Sequence, residues 1–90
     1  MDTPSLSLSD PARIRWQCRR GMLELDIMLL SFFDKVYETL SVEQKISFVE
    51  LLTFPDQVLY SWLIGQTQPE TAPLQALVQI IRAQQYTATK

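Results

Sequence analysis

Apolar residues recur at helical spacing through most of this chain. The longest such pattern begins after Gly21 and runs to about Leu40, with apolar residues repeatedly three and four positions apart. We expect one face to consist of Met22, Leu25, Leu29, Phe32 or Phe33, Val36 and Leu40, and a second apolar face to contain Leu23, Ile27, Leu30 and Tyr37. A helix that is apolar on most sides is normally packed by several neighbours, so this pattern predicts the central helix of the fold.

The helices before and after it are indicated by their start signals. Asp10 is a typical N-cap residue and the proline after it suits the first helical position, which predicts a first helix to about Arg19. Ser41 and Gln44 form a capping box that opens a third helix to about Leu52. Their expected core residues are Ile14, Trp16 and Cys18 in the first helix, and Ile46, Phe48, Val49 and Leu52 in the third.

Two more helices complete the predicted fold. The turn at residues 54–56 leads into a fourth helix that ends before Gly65, a C-cap residue, and Pro73 opens a last helix. Their core positions are Val58, Leu59, Trp62 and Leu63, then Leu74, Leu77, Val78 and Ile81. No alternating strand pattern interrupts this series, so we predict an all-α, five-helix bundle. It forms a single domain over residues 10–84, with flexible tails at residues 1–9 and 85–90.

The composition supports a small domain and removes most catalytic chemistry. An apolar fraction of 47% in 90 residues favours a packed core over disorder. The chain has no histidine and one cysteine, Cys18, which excludes Ser-His and Cys-His nucleophile pairs, a Cys/His zinc site and an internal disulfide. We therefore expect no enzyme activity and no metal site, and we interpret Cys18 as a small buried hydrophobe.

The charge is unevenly distributed. Four of the eight basic residues lie within positions 13–20, although the formal net charge is −2, which argues against a general polyanion binder. This basic first helix, with Trp16 as a stacking residue, leaves one alternative function, a small nucleic-acid-binding or antitoxin-like regulator. We favour a half-buried Trp16 ring beneath arginine side chains over a base-stacking role, because no basic recognition helix is evident.

The stretch Arg19-Arg20-Gly21-Met22-Leu23-Glu24-Leu25-Asp26 is the candidate functional surface. Gly21 permits a positive φ or a close backbone approach, and it separates paired arginines from two carboxylates. Arg20 and Glu24 are four positions apart, so they form either a surface ion pair or two charged contacts to a partner on either side of Gly21. Glu24 and Asp26 suit the positive end of the second helix, but they diverge by about 200° and cannot form a catalytic pair.

No segment has the pattern of a targeting signal. Residues 1–9 lack the basic start and apolar run of a signal peptide, and the apolar run Ile27–Leu30 is far shorter than the roughly 18 residues of a membrane span. We therefore expect a cytoplasmic protein without membrane insertion.

Several motifs at their observed separations resemble the SdhE family of flavoprotein assembly factors. The matching residues are Cys18-Arg19-Arg20-Gly21-Met22-Leu23-Glu24-Leu25-Asp26, Phe32-Phe33, Phe48-Val49-Glu50-Leu51-Leu52, Asp56, Leu59, Trp62-Leu63 and Gly65. Arg20, Gly21 and Glu24 reproduce the family's arginine-glycine motif with its glutamate three positions on. The resemblance spans roughly residues 10–82. The turn at residues 53–56 departs from it, because an apolar Phe-Pro stands where many relatives are more acidic.

The resemblance implies an assembly factor that binds the flavoprotein subunit of succinate dehydrogenase, and in some organisms that of fumarate reductase. It would promote covalent attachment of FAD to a histidine of that client. It implies a client-binding surface at Arg19, Arg20, Gly21, Met22, Glu24 and Asp26. We expect no tightly bound cofactor, since the sequence lacks a Gly-rich dinucleotide motif, and a monomer when free.

Overall fold

The fold is all-α, as predicted. The computed structural model describes residues 10–88, and within them the α-helices are α1 Pro11–Gln17, α2 Leu23–Val36, α3 Val42–Leu51, α4 Asp56–Leu63 and α5 Ala72–Ala88. A single 3₁₀ turn, Tyr37–Thr39, follows α2. No strand occurs in this range, and none of its helices is long and apolar enough to cross a membrane. The predicted tail at residues 1–9 lies outside the described part of the chain.

The predicted helix starts and stops are local features that the structure confirms. The Asp10 side chain accepts a hydrogen bond from the Arg13 amide at 3.3 Å, and the capping box of Ser41 and Gln44 has both of its bonds, at 3.0 and 3.1 Å. Gly65 follows α4 with φ +86°, the left-handed conformation that suits a glycine C-cap. Each signal acts within one helical turn, which explains why the sequence alone was sufficient.

Three helix ends differ from the predictions. α1 stops at Gln17 instead of near Arg19, because the chain turns there to place its arginines. α2 stops at Val36 rather than Leu40, since the chain tightens into the 3₁₀ turn. α5 extends to Ala88, beyond the end predicted at residue 84.

A single core joins the helices around α2 and α5. α5 packs against α2, α3 and α4, and α2 also contacts α4. The predicted stripe of α5 is confirmed, since each of its four residues is buried. Phe32, Phe33 and Trp62 belong to the core as expected, and the Phe33 ring stacks on that of Tyr37 with centroids 4.6 Å apart. The core therefore lies along one side of α2.

The predicted second face of α2 is only partly correct. Tyr37 is buried and Leu30 is half-buried, but Leu23 and Ile27 are 73% and 55% exposed. Ile46 of α3 is likewise 52% exposed, contrary to its predicted place in the core. The other helices cover one side of α2 only, so part of its apolar surface remains in contact with solvent.

Cys18 is buried, as expected. It is fully inaccessible, and its Sγ donates to the Ile14 carbonyl at 3.6 Å. Burial, which disfavours the charged thiolate, raises the pKa of Cys18 from 9.0 to about 12. Because the thiolate is the reactive form, this thiol is chemically inert in the folded protein.

We predict that Cys18 reacts with an aromatic disulfide reagent only when the protein unfolds. At pH 8 the pKa increase from 9.0 to about 12 reduces the thiolate fraction roughly a thousandfold, and burial blocks access as well. The measurement is the rate of thiol modification in native buffer and in urea. In urea the unfolded chain should react with one equivalent of reagent, because it has one cysteine. Rapid stoichiometric labelling of the native protein would contradict the prediction.

Candidate functional site

The chain between α1 and α2 changes direction at Gly21. We call residues 19–26 the arginine-glycine junction. Gly21 has φ +83°, and the next residue, Met22, is extended at the N-cap of α2 without a side-chain capping bond. Apart from Gly21 itself and its two chain neighbours, no residue has an atom within 4 Å of the position that a Cβ on Gly21 would occupy. Backbone conformation, rather than lack of space, therefore requires glycine here, and an L side chain would cost about 1–2 kcal/mol.

Asp26 holds the junction from the first turns of α2. Its two carboxylate oxygens accept hydrogen bonds from the backbone N–H of Arg20 at 2.6 Å and of Gly21 at 3.3 Å. These bonds satisfy amides that no helix ladder reaches, and they place a negative charge near the positive end of the α2 dipole. Asp26 therefore fixes the backbone geometry of the junction.

The Arg20 side chain points inward and connects distant parts of the fold. Its side chain is 14% exposed, and its Nε donates to Asp56 Oδ1 at 2.8 Å. The two terminal nitrogens donate to backbone carbonyls, namely those of Gln17 at 3.0 Å, Leu52 at 2.9 Å and Phe54 at 2.9 Å. We call this set of four contacts the Arg20 clamp.

Each carbonyl in the Arg20 clamp is one that a helix or turn would otherwise leave unsatisfied. Gln17 is the last residue of α1 and Leu52 directly follows α3, so both lie at helix C-termini. The negative end of a helix dipole favours a cation, and the planar guanidinium can serve several acceptors at once. The clamp therefore joins the ends of α1 and α3 to the start of α4.

Glu24 has a different partner from the one that its spacing suggested. The predicted surface ion pair with Arg20 does not form, since Arg20 is engaged by Asp56. Glu24 is exposed, and its Oε1 accepts a hydrogen bond from the Tyr60 hydroxyl of α4 at 2.7 Å. This bond, with the charge of the same carboxylate, raises the pKa of Tyr60 above its ordinary value of 10.0. The bond orients the carboxylate on the surface.

The basic residues of α1 are less available than the sequence indicated. Arg15 makes a two-bond ion pair with Asp34 of α2, at 2.8 and 3.0 Å, which lowers the pKa of Asp34. Arg19 lies over the Trp16 ring, 5.4 Å from its centroid. Trp16 is 65% exposed, so the expected half-buried ring is a wrong prediction. It lies on the outer side of a short helix that has no neighbour there.

The structure divides the six predicted site residues into three groups. Arg20 and Asp26 are bound within the fold, while Arg19, Gly21 and Glu24 are exposed, and Met22 is half-buried against the core. Sequence reasoning missed two residues of the same surface, Leu23 and Ile27, because their helical spacing was attributed to the core. Ile27 is three positions from Glu24 and four from Leu23, so these side chains are neighbours on α2.

The structural partners of the site were also missed. Asp56 lies 36 positions from Arg20, and Tyr60 lies 36 positions from Glu24. Asp56 begins α4, in agreement with the helix start predicted after the turn at residues 54–56, but no local spacing connects it to Arg20. Residues 10–88 contain no cluster of His, Cys, Asp or Glu that could hold a metal ion. The exposed residues thus place charged and apolar atoms on the surface, on a backbone that the buried group holds in position.

We predict that Arg20→Lys destabilises the protein by about 1–3 kcal/mol. A lysine carries the charge but cannot supply the fixed set of donors, so some of the carbonyls lose their partners. Arg19→Lys is the matched control. Arg19 is exposed, so this substitution should change the free energy of unfolding little. Urea unfolding of both variants measures the difference, and equal effects would show that the Arg20 clamp does not stabilise the fold.

We predict that Glu24→Gln lowers the pKa of Tyr60 towards its ordinary value. The carboxylate raises that pKa, so the bond is present below about pH 10 and is lost as the pH rises through the higher folded-state value. The measurement is an NMR titration of the Tyr60 ring carbon beside the hydroxyl. Glu43→Gln, on the first turn of α3, is the control and should leave the titration unchanged.

Known proteins of similar sequence share this fold. The FAD assembly factor SdhE of Coxiella burnetii is 43% identical over 70 residues, which cover 78% of this chain and 85% of that protein. The protein of the same name from Yersinia pseudotuberculosis is 38% identical over 78 residues, covering 87% and 89%. Both are named as assembly factors rather than catalysts, in agreement with the prediction that this chain is not an enzyme.

A solved structure and a family model extend the comparison. The solution structure of a UPF0350 protein matches with a TM-score of 0.75 and 36% identity, covering 93% of this chain and 89% of that one. The model of the Sdh5 family, described as "Flavinator of succinate dehydrogenase", matches residues 12–85. The resemblance to the SdhE assembly factors is thus confirmed, and this chain belongs to the family of flavinators of succinate dehydrogenase.

Proposed function

We propose that this protein binds the flavoprotein subunit of succinate dehydrogenase and promotes covalent attachment of FAD to a histidine of that subunit. Membership of the family carries the first half of the proposal, and the relatives named FAD assembly factor SdhE support it. The second half agrees with the composition of the chain. Since its 90 residues contain no histidine, a histidyl-flavin bond has to form on the client.

The proposed client-binding surface is the exposed group of the arginine-glycine junction. Gly21 offers an open backbone and Glu24 an oriented carboxylate. Leu23 and Ile27 add exposed apolar side chains beside them, and burial of apolar surface is the main favourable term in most protein–protein association. Arg20 and Asp26 act on this surface indirectly, through the backbone that they hold. Arg19 and Met22 complete it.

A surface of this kind can assist flavin attachment without chemistry of its own. If the junction binds the client more tightly in the arrangement that attaches its flavin, binding increases the population of that arrangement. A tenfold preference corresponds to about 1.4 kcal/mol of differential binding energy, which a few charged and apolar contacts supply. The Arg20 clamp contributes here because a rigid surface loses little conformational entropy on binding.

Further features belong to the same proposal. The protein would be a cytoplasmic monomer when free, and would hold no FAD tightly by itself. A fumarate reductase flavoprotein is a second candidate client, because it would present the same kind of histidyl-flavin site.

One observation supports the alternative of nucleic-acid binding. Trp16 of α1 and Arg19, two residues beyond the end of that helix, are exposed together, an arrangement that can stack on a base. Two of the four clustered arginines are, however, neutralised by Asp34 and Asp56. Binding to a DNA duplex or a single strand that weakens steeply with salt would support this alternative.

The proposal predicts that Gly21→Arg and Glu24→Ala strongly slow flavin attachment while the protein still folds. In cells that lack this protein, the covalent flavin of the succinate dehydrogenase flavoprotein subunit is measured by in-gel fluorescence. We expect wild type to restore the band, and each variant to reduce its initial rate of appearance about tenfold or more, as loss of an important interface contact does. Circular dichroism checks that each variant is helical.

Two controls identify the cause of a loss. Glu43→Ala removes an exposed glutamate from the first turn of α3, as Glu24→Ala does from α2, and should restore the band fully. Tyr60→Phe removes the bond to Glu24 but leaves the carboxylate, so it should retain most activity if Glu24 contacts the client. Failure of wild type to restore the band would refute the proposed function.

A further inference from the structure

A groove of about 400 Å³ lies between the α3–α4 turn, α4 and the start of α5. Its floor consists of Phe54, Val58, Trp62 and Leu74, and two carboxylates, Glu50 and Glu70, stand on its rim. We call it the acid-rimmed groove. Its volume falls in the range of about 300–1,000 Å³ that is typical of ligand pockets.

The floor of the acid-rimmed groove is apolar and firmly held. Trp62 and Leu74 are 6% and 2% exposed, so they belong to the core. The Phe54 ring meets Trp62 edge-on, with centroids 4.9 Å apart, and both Phe54 and Val58 remain half-buried. The floor therefore offers a preformed apolar surface to a large side chain, at little cost in side-chain entropy.

The rim carries two negative charges. Glu50 and Glu70 are both exposed, and within residues 10–88 neither carboxylate has an ion-pair partner. Carboxylates beside a low-dielectric floor attract cations and repel phosphate groups. The occupant should therefore combine an apolar side chain with positive charge.

We propose that the acid-rimmed groove docks a polypeptide segment in which a large apolar side chain is flanked by lysine or arginine. The apolar side chain would lie on Phe54 and Val58, and the flanking cations would meet Glu50 and Glu70. Residues 1–9 do not fit this description, because they contain Asp2 and no lysine or arginine. Charge complementarity thus selects a basic segment of a partner protein.

The groove adds a second interaction surface to the protein. It shares the α3–α4 turn with the Arg20 clamp, since Arg20 donates to the Phe54 carbonyl at 2.9 Å. Its other lining residues lie outside the arginine-glycine junction, and its charge is opposite to that of the arginines. The inference is therefore independent of the proposed function, and either can fail without the other.

Trp62 allows occupancy to be measured directly. The chain contains two tryptophans, so Trp16→Phe leaves Trp62 on the groove floor as the fluorescent reporter. The probe is a blocked hexapeptide of sequence KKLLKK, titrated at low salt. We expect saturable binding, at least about tenfold tighter than for EELLEE, which reverses the charge, and for KKSSKK, which removes the apolar pair.

Paired variants locate the binding. In the Trp16→Phe background, Glu50→Lys with Glu70→Lys should weaken KKLLKK binding about tenfold or more, because attraction becomes repulsion at both rim positions. Glu38→Lys with Glu43→Lys makes the same change in net charge at exposed positions outside the groove and should have little effect. Both double variants are also tested for flavin attachment, which the groove proposal does not require to change.

Three results would overturn the inference. The first is equal binding of KKLLKK and EELLEE, and the second is equal loss in the two double variants. The third is a concentration-dependent dimer in sedimentation velocity that only the groove variant abolishes, with no peptide binding, because the occupant would then be a second copy of this chain.

Discussion

The arrangement of this molecule depends on the burial of one guanidinium group. Arg20 is 14% exposed and has four acceptors, Asp56 and the carbonyls of Gln17, Leu52 and Phe54. A charged hydrogen bond contributes about 1.5–3 kcal/mol, and a buried group left without its partner costs a comparable amount. Three helix ends meet at this one side chain, so their relative positions are set together. These contacts of Arg20 therefore help to fix the position of the exposed part of the arginine-glycine junction.

A consequence is that one short motif has two separate physical roles. Arg20 and Asp26 face inward, where they satisfy backbone groups at helix ends and at the turn. Gly21 and Glu24 face outward, the first with its backbone open to solvent and the second oriented by Tyr60. The motif is short because the residues that hold the backbone and the residues that are exposed lie within the same few positions of the chain. Substitution of Arg20 or Asp26 would weaken the fold, as would a side chain at Gly21, which has φ +83°, whereas substitution of the exposed Glu24 would leave the fold nearly unchanged.

The distribution of charge gives the protein two surfaces of different character. The positive charge of residues 13–20 is partly neutralised by Asp34 and Asp56, which leaves the exposed junction mixed in charge and partly apolar. On the other side of the α3–α4 turn, Glu50 and Glu70 surround an apolar floor. A net charge of −2 conceals this difference. The two surfaces differ in chemistry and meet at the turn that Arg20 holds.

The sequence by itself determined the features that depend on neighbouring residues. These include the caps at Asp10 and Ser41 and the apolar stripe of α5, whereas for Gly21 the sequence left open a positive φ or a close backbone approach. Each is governed by contacts within one or two helical turns, where spacing is a sufficient guide. The inert character of Cys18 and the class of fold followed from composition together with the same patterns. The motif residues were also recognised, but not their individual roles.

Only the tertiary structure decided which apolar residues are buried and which charged residues meet. Helical spacing assigns Leu23 and Ile27 to an apolar face, but it does not show whether another helix covers that face, and none does. Spacing likewise pairs Arg20 with Glu24, whereas packing brings each to a partner 36 positions away on or beside α4. Such contacts depend on how whole helices pack, because the free energy that selects them comes from the shared core and not from the local chain.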